Sequence, residues 1–452
     1  MCNNSNNPAP VKKTQEALEA WPYRLGMFFY RAGISGFFAG GGLSWLKKKY
    51  KVGLEERTGL FGPEVPRDAL WVHSVSVGEV QSALSLIEEA KKSLKSLPCI
   101  LSTVTITGRA MGEKLASRQA DRMSRNPEML CNPKMIYNPW DTPCFVKRAL
   151  DTLVPRAYVA VETERWPVML AELHARGIPA FLVNGRLSGE SAKKLHRQRR
   201  FWRGVLCCFD RLMVRFESDG EEFLALGVPE EKIVVTGDCK IDAMLARKAE
   251  LDAGGNAPRM ERGNGPLFLA GSTHPGEERI VLEAFAEVRR ARRDARLIIV
   301  PRNPRRALYV VAEALPYGKV DLFTDLRPDW DIAVVDKIGV LFELYADADA
   351  AFVGGSLVSK GGQNPMEPCL FGIQVTHGPN MSDFPDTRRM DALGASRRVD
   401  HAGHLAEAWL LALERDERIR AKQACERYFA SVGGAARRSW EVIEEYIARK
   451  PF

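Results

Sequence analysis

Three groups of carboxylates in this 452-residue sequence stand where acid–base chemistry or sugar binding would use them. Leu70-Trp71-Val72-His73 reads as a strand, and Ser74 to Val80 carries it through Gly78 into an amphipathic helix. Glu79 therefore sits at a strand-to-helix junction, where open α/β sheets place their ligands. It is either a general base or a charge that stabilises the helix N-terminus, and spacing alone favours the second. Glu162-Thr163-Glu164-Arg165-Trp166-Pro167 sets two more carboxylates at the end of the buried strand pattern Ala157 to Val161. Glu367 follows Asn364-Pro365, a helix start with Asn364 as N-cap and Pro365 at the first helical position. In that first turn it is suited to hold sugar hydroxyls.

Other residues suit an anion. The strand pattern Ala350 to Val353 runs into Gly354-Gly355-Ser356 and then Gly361-Gly362 before Asn364. Glycines let backbone approach a ligand, and unpaired N–H groups at a helix start favour phosphate. The strand Leu267 to Ala270 ends in Gly271-Ser272-Thr273-His274-Pro275-Gly276-Glu277-Glu278, a hydroxyl-rich turn into a helix. Leu297 to Val300 ends in Pro301-Arg302-Asn303-Pro304, where Arg302 is placed to meet a phosphate. Thr105-Ile106-Thr107-Gly108-Arg109 and Asn184-Gly185-Arg186-Leu187-Ser188 put arginines and hydroxyls at two further strand ends. Asp347-Ala348-Asp349 mimics a metal-binding pair, but it feeds the Ala350 strand and reads as capping.

Strand, loop and helix alternate through most of the chain, so these side chains are expected on the rims of doubly wound parallel sheets. The length calls for more than one core. With 45% apolar and 27% charged residues the chain is globular, and its net charge of +8 suits an anionic surface or substrate. No aromatic-basic RNA-binding signature or zinc-finger spacing is present, which sets nucleic acid aside. The nine cysteines include no CxxC, a pattern of reduced thiols and not of a disulfide framework or a zinc site.

The stretch from Trp21 to Trp45 is aromatic and glycine-rich, is interrupted by Arg24 and Arg31, and is followed by Lys47-Lys48-Lys49-Tyr50-Lys51. It is too broken to span a bilayer. It reads as a segment lying in a membrane interface, with a helix packed on its own domain as the alternative. The basic stretch Lys193 to Arg203 is either a solvated helix face or, beside Arg186, an attraction for an acidic acceptor.

Taken in order, Ser76-Val77-Gly78-Glu79, Glu162 to Pro167, Asn184 to Ser188, Gly271 to His274, Pro301 to Pro304 and Gly354 to Pro368 resemble the 3-deoxy-D-manno-octulosonic acid (Kdo) transferase family, over about Tyr50 to Gly394. The resemblance implies a GT-B fold, two Rossmann-like doubly wound domains facing across a cleft. It implies transfer of Kdo from CMP-Kdo to a lipid A precursor, without a metal or cofactor, by an inverting enzyme at the cytoplasmic face of the inner membrane. By that likeness Glu79 matches the base, and one of Glu162 and Glu164 a second essential glutamate. Ser272, Thr273, Arg302, Gly355, Ser356, Asn364 and Glu367 match donor-binding positions, and Arg109, Arg186 and Ser188 fall to the acceptor. The expected organisation is a membrane-associating segment 1–50, an acceptor domain 51–235 and a CMP-sugar domain 236–430. A C-terminal helix 431–452 follows, for which a return to the first domain is one option. The chain departs from the family's usual residues at Gly185, where alanine is usual, and at Asn303 and Gln363, where histidine is. A nucleotide-sugar 2-epimerase-like enzyme shares the architecture, and a silent nucleotide- or lipid-binding protein would keep the fold. The Trp21–Lys51 stretch counts against the first and an intact Glu79 against the second.

Overall fold

The computed structural model describes residues 9–42, 44–46, 50, 52–123, 132–187, 189–254 and 263–449. The chain divides into two compact units, Met1–Ala243 with Gly433–Phe452, and Met244–Val432.

The first unit contains β1 (Leu70–His73), β2 (Cys99–Thr103), β3 (Lys134–Tyr137), β4 (Ala157–Val161), β5 (Ala180–Gly185), β6 (Arg211–Val214) and β7 (Ile233–Val235). They form one parallel sheet in the order β3-β2-β1-β4-β5-β6-β7. β1, β2, β4 and β5 are buried along their whole length, as apolar strands covered by helices on both faces require. Trp71, Tyr158 and Leu182 pack into the core on one face, and Val72, Val159 and Val183 into that on the other. The order reverses between β1 and β4, and the crevice beyond their C-terminal ends is where this topology binds ligands.

The second unit contains β8 (Leu267–Thr273), β9 (Arg296–Pro301), β10 (Val320–Leu322), β11 (Ile332–Val334), β12 (Ala350–Val353), β13 (Gln374–His377) and β14 (Ser396–Arg398). Its parallel order is β10-β11-β9-β8-β12-β13-β14, with the reversal between β8 and β12. Two seven-stranded doubly wound units in one chain make a GT-B fold.

The first division falls inside the helix Cys239–Gly254, whereas the sequence reading set it after residue 235. The opening turn of that helix is tied to the first unit. The Cys239 N–H donates to Asn184 Oδ1 at 2.8 Å, and the Asp242 carboxylate accepts from Gly434 and Ala436 N–H at 2.6 and 2.7 Å. Asp242 thereby satisfies the exposed N–H groups that begin the helix Ala435–Arg449. The apolar stripe of that helix, Trp440 and Ile443, packs with Val80, Leu84 and Ile87 of the helix Val77–Ser93.

The N-terminal helix Trp21–Phe37 also belongs to the first unit. Tyr23 stacks on Phe201 at 6.2 Å, and Tyr30 donates to Asp141 at 3.1 Å. Asp141 in turn accepts the N–H groups of Val168 and Met169, which start a helix (Pro167–Ala175) whose own Trp166 supplies no side-chain cap. Among the described residues no helix is long and apolar enough to cross a membrane. Lys47, Lys48, Lys49 and Lys51 lie outside the described residues.

Trp440→Ala should cost about 3–5 kcal/mol, the usual loss for a large aromatic removed from a packed core. It also leaves the Ser93 hydroxyl without the indole N–H that meets it at 2.7 Å. Chemical denaturation followed by tryptophan-independent circular dichroism measures the loss.

Candidate functional site

In the first unit the switch point is lined by carboxylates and the cations that hold them. Ser76 caps the helix Val77–Ser93 by accepting the Glu79 N–H, and its hydroxyl donates to Glu79 Oε1 at 2.9 Å. Glu79 Oε2 accepts the Val75 N–H at 2.7 Å. The pattern is reciprocal as in a capping box, with the Val75 N–H in place of that of the N-cap residue. The helix-stabilising role read from spacing is therefore realised, and each oxygen keeps a lone pair beyond the bond it makes. Glu79 is nearly buried. Burial raises its pKa, the Val75 and Ser76 hydrogen bonds oppose that, and the charges of Glu162 and Glu164 add to the rise.

Glu162, buried directly after β4, adopts a left-handed φ of 62°. Its Oε2 meets Arg186 Nε at 3.0 Å and Nη2 at 2.9 Å, and its Oε1 contacts the Lys240 ammonium. Two cations compensate a carboxylate withdrawn from water. Asn184, at the end of β5, is also left-handed with φ 59° and anchors Cys239 N–H next to Lys240. Such strained non-glycine residues concentrate at functional sites. Glu164 remains partly open to solvent, 3.6 Å from His73 Nε2, beyond hydrogen-bond reach. His73 is fixed by Ser102, which also takes the Trp71 indole N–H.

Arg109 is turned toward Glu56 at 2.7 Å and Glu113 at 3.0 Å, with its guanidinium over the Tyr137 ring. Ser188 lies outside the described residues. The structure thus brings Glu79, Glu162, Glu164 and Arg186 into one cluster and adds Lys240, which sequence reasoning missed. Its one signal was position, on Asp238-Cys239-Lys240 just past the strand β7.

In the second unit, Ser272, the last residue but one of β8, has φ 55°, and the Arg302 N–H bonds the Thr273 carbonyl. The Thr273 hydroxyl is held by Glu278, which also receives Arg306 at 2.5 Å. The helix expected from Asn364 onward is a single turn, Met366–Cys369, and starts later than predicted. Pro365 is its N-cap, and Asn364, one residue earlier, accepts Met366 N–H at 3.0 Å while its amide reaches Glu367 at 3.4 Å. One turn carries little of the dipole that a long helix offers. Burial pushes the Glu367 carboxyl pKa up, partly offset by Arg247, Asn364 and Arg302 and reinforced by Glu343. The N–H groups of Gly355 and Ser356, read as donor-binding, are engaged by Glu277 at 2.7 and 3.0 Å. The Ser356 hydroxyl bonds the Val353 carbonyl and accepts Gly378 N–H, so this residue spends its polar groups on protein. Asp349 accepts Leu267 N–H, at the start of β8, and pairs with Arg418, so it ties strand to helix and does not cap a helix end.

The fold, with carboxylates lining the switch point of its first unit, is that of a GT-B enzyme. Residues 52–243 match the sequence model of the family described as 3-Deoxy-D-manno-octulosonic-acid transferase (kdotransferase). The 3-deoxy-D-manno-octulosonic acid transferase of Bordetella pertussis is 31% identical over 403 residues, covering 86% of this chain and 90% of that protein. The transferase of the same name from Haemophilus influenzae is 29% identical over 423 residues, covering 90% and 94%. Among solved structures, the UDP-GlcNAc 2-epimerase of Neisseria meningitidis aligns with 84% of this chain and all of its own, at TM-score 0.58 and 14% identity, a likeness of fold alone. The chain belongs to the Kdo transferase family: it is a Kdo-transferring glycosyltransferase.

Arg186 and Lys240 share one buried carboxylate, so their removal is coupled. Arg186→Met and Lys240→Met should each destabilise the first unit by about 1–3 kcal/mol. The double variant should differ from the sum by at least about 0.5 kcal/mol in a denaturation double-mutant cycle.

Proposed function

We infer that this enzyme moves Kdo from CMP-Kdo to a lipid A precursor, with inversion, at the cytoplasmic face of a Gram-negative inner membrane. The observation that carries the reading is Glu79, a nearly buried carboxylate at the switch point whose pKa is raised first by burial and then by neighbouring carboxylates. In the proposed step an acceptor hydroxyl oxygen attacks the anomeric carbon from the face opposite the phosphate. The bond from that carbon to the CMP oxygen breaks, CMP leaves with the electron pair, and the hydroxyl proton passes to Glu79. Glu162 positions Arg186 and Lys240, and Glu164 is the member of the pair open to the acceptor. Arg186, with Arg109 and Ser188, is assigned to the anionic acceptor.

The second unit is assigned the donor. Ser272, Thr273 and Arg302 flank the phosphate, Asn364 and Glu367 take the sugar of the nucleotide, and Gly355 with Ser356 shapes the seat through its backbone. Cationic side chains stabilise the departing phosphate in this scheme, so no metal or cofactor takes part in transfer. EDTA is accordingly expected to leave the rate unchanged.

Membrane association rests on the outer face of the helix Trp21–Phe37. Trp21, Leu25, Phe28 and Phe29 are exposed there while Tyr23 and Met27 face the core. The inner face packs on the helix Arg199–Cys207, so the exposed cations Arg199 and Arg200 belong to the same region as these aromatics. An apolar stripe beside positive charge fits an anionic lipid surface.

Mass spectrometry of the product from tetraacylated lipid A precursor and CMP-Kdo should show a gain of one or more Kdo residues. No gain, with CMP still bound, would reject the donor assignment. Glu79→Ala should slow transfer by a factor of about 10²–10⁴. Protection of the folded protein by CMP against heat should persist in that variant.

The base acts deprotonated, so the rate should rise with pH through the pKa of Glu79. Because that pKa is raised, the rising limb should lie above the ordinary glutamate value of about 4.3. Glu164→Gln removes a negative charge and should move the limb to lower pH; an unmoved limb would separate Glu164 from Glu79.

Phe28→Glu with Phe29→Glu should abolish sedimentation with vesicles containing phosphatidylglycerol, and added salt should weaken wild-type binding. Undiminished sedimentation of the double variant would point to another anchor.

A further inference from the structure

The default anion seat of the second unit is already occupied by the protein itself. Past β12 the chain turns through Gly354, where a Cβ would lie 2.4 Å from the Ser272 carbonyl, and Gly355, at φ 71°. The N–H groups of Gly355, Ser356 and Leu357 then converge on Glu277. Oε2 accepts Gly355 at 2.7 Å and His274 at 2.9 Å, and Oε1 accepts Ser356 at 3.0 Å and Leu357 at 2.9 Å. Successive convergent N–H groups form a concavity that binds anions. This one lies past the ends of β8 and β12, the neighbouring strands at which the order reverses, where the fold places its ligand. Glu277 is fully buried, so its charge has no water to screen it.

We propose that Glu277 determines donor specificity by restricting the site to a single phosphate. The inference deepens the donor reading of the second unit and rests on it. A nucleoside monophosphate sugar brings one phosphodiester, whose neighbours are Arg302 and the Ser272–Thr273 turn. A nucleoside diphosphate sugar brings a second phosphate that needs N–H donors of its own. The donors at the switch point are engaged, and the approaching anion meets a buried carboxylate of like charge. Glu277 thus does two things with one group: it joins the loop after β12 to the turn after β8, and it withholds the second seat.

Isothermal titration of the full chain with CMP and with CDP tests this. Wild type should bind CMP at least tenfold more tightly than CDP. Glu277→Gln, which removes the charge and keeps the size, should shrink that ratio mainly through a gain for CDP, and Glu277→Ala should shrink it further. Equal affinities in wild type, or a ratio unchanged in the variants, would overturn the proposal, because a merely structural role lowers both affinities together. Hydrogen exchange on wild type gives a reading that needs no variant: the amides of Gly355, Ser356 and Leu357 should be as protected without CMP as with it. Protection that appears only with CMP would show the seat to be the ligand's. Failure of wild type to bind CMP at all is a different result, and it would remove the donor reading together with this inference.

Discussion

A carboxylate taken out of water is tolerated only when charges or N–H groups replace its hydration, and both switch points in this protein are organised around such a group. Glu162 in the first unit is compensated by Arg186 and Lys240, and Glu277 in the second by four backbone N–H groups. The two solutions differ in consequence. Side-chain cations leave Glu162 the centre of a polar cluster that also raises the proton affinity of Glu79. Backbone N–H groups make Glu277 a clamp between two loops. In each case the buried charge specifies one loop arrangement, since any other would strand it without partners.

The local backbone follows from these clamps. Glu162, Asn184 and Ser272 all stand at C-terminal strand ends with positive φ, a conformation that side chains other than glycine adopt at a cost. Each is tied into a network that offsets the cost: Glu162 by its cations, Asn184 by the Cys239 N–H, and the Ser272 turn by the bonds of Thr273 to Arg302 and Glu278. Asn184 also explains why the first unit extends into the helix Cys239–Gly254. The hydrogen bond to Cys239 and the Asp242 cap on the C-terminal helix hold that opening turn in place, and a boundary set after residue 235 from the end of a strand pattern has no access to either bond.

Much of the scaffold was legible because parallel strands covered on both faces are written as apolar runs. Ala157–Val161 and Ala350–Val353 end at the residues expected from sequence. The strand-end location of Glu79, Glu162 and Arg302 follows from the same periodicity. The partners were not legible. Glu277 follows a glycine at the start of a helix, and such a glutamate looks the same in sequence whether it faces solvent or a nest of N–H groups contributed from 78 positions away. Lys240 reaches Glu162 across a comparable separation, which no local pattern records. The helix start expected at Asn364 is displaced to Met366 and runs one turn, and Gly372, at φ 69°, turns the chain soon after it.

The two departures near the region assigned to the donor have different physical weight. Asn303 accepts the Arg305 N–H at 3.1 Å and so caps the short helical turn Pro304–Arg306. Asparagine is among the best residues for that task, and its side chain is occupied by it. Arg306, at the end of the same turn, is the residue that reaches Glu278 and through it Thr273. The departure at 303 is therefore accounted for by the stiffness of the loop that aims Arg302 and Arg306. Gln363 stands differently: its amide lies 3.4 Å from where a Gly355 side chain would begin, and the His274 ring is equally close. It borders the nest that Glu277 fills, and it is a neutral group where a histidine would add a titratable one.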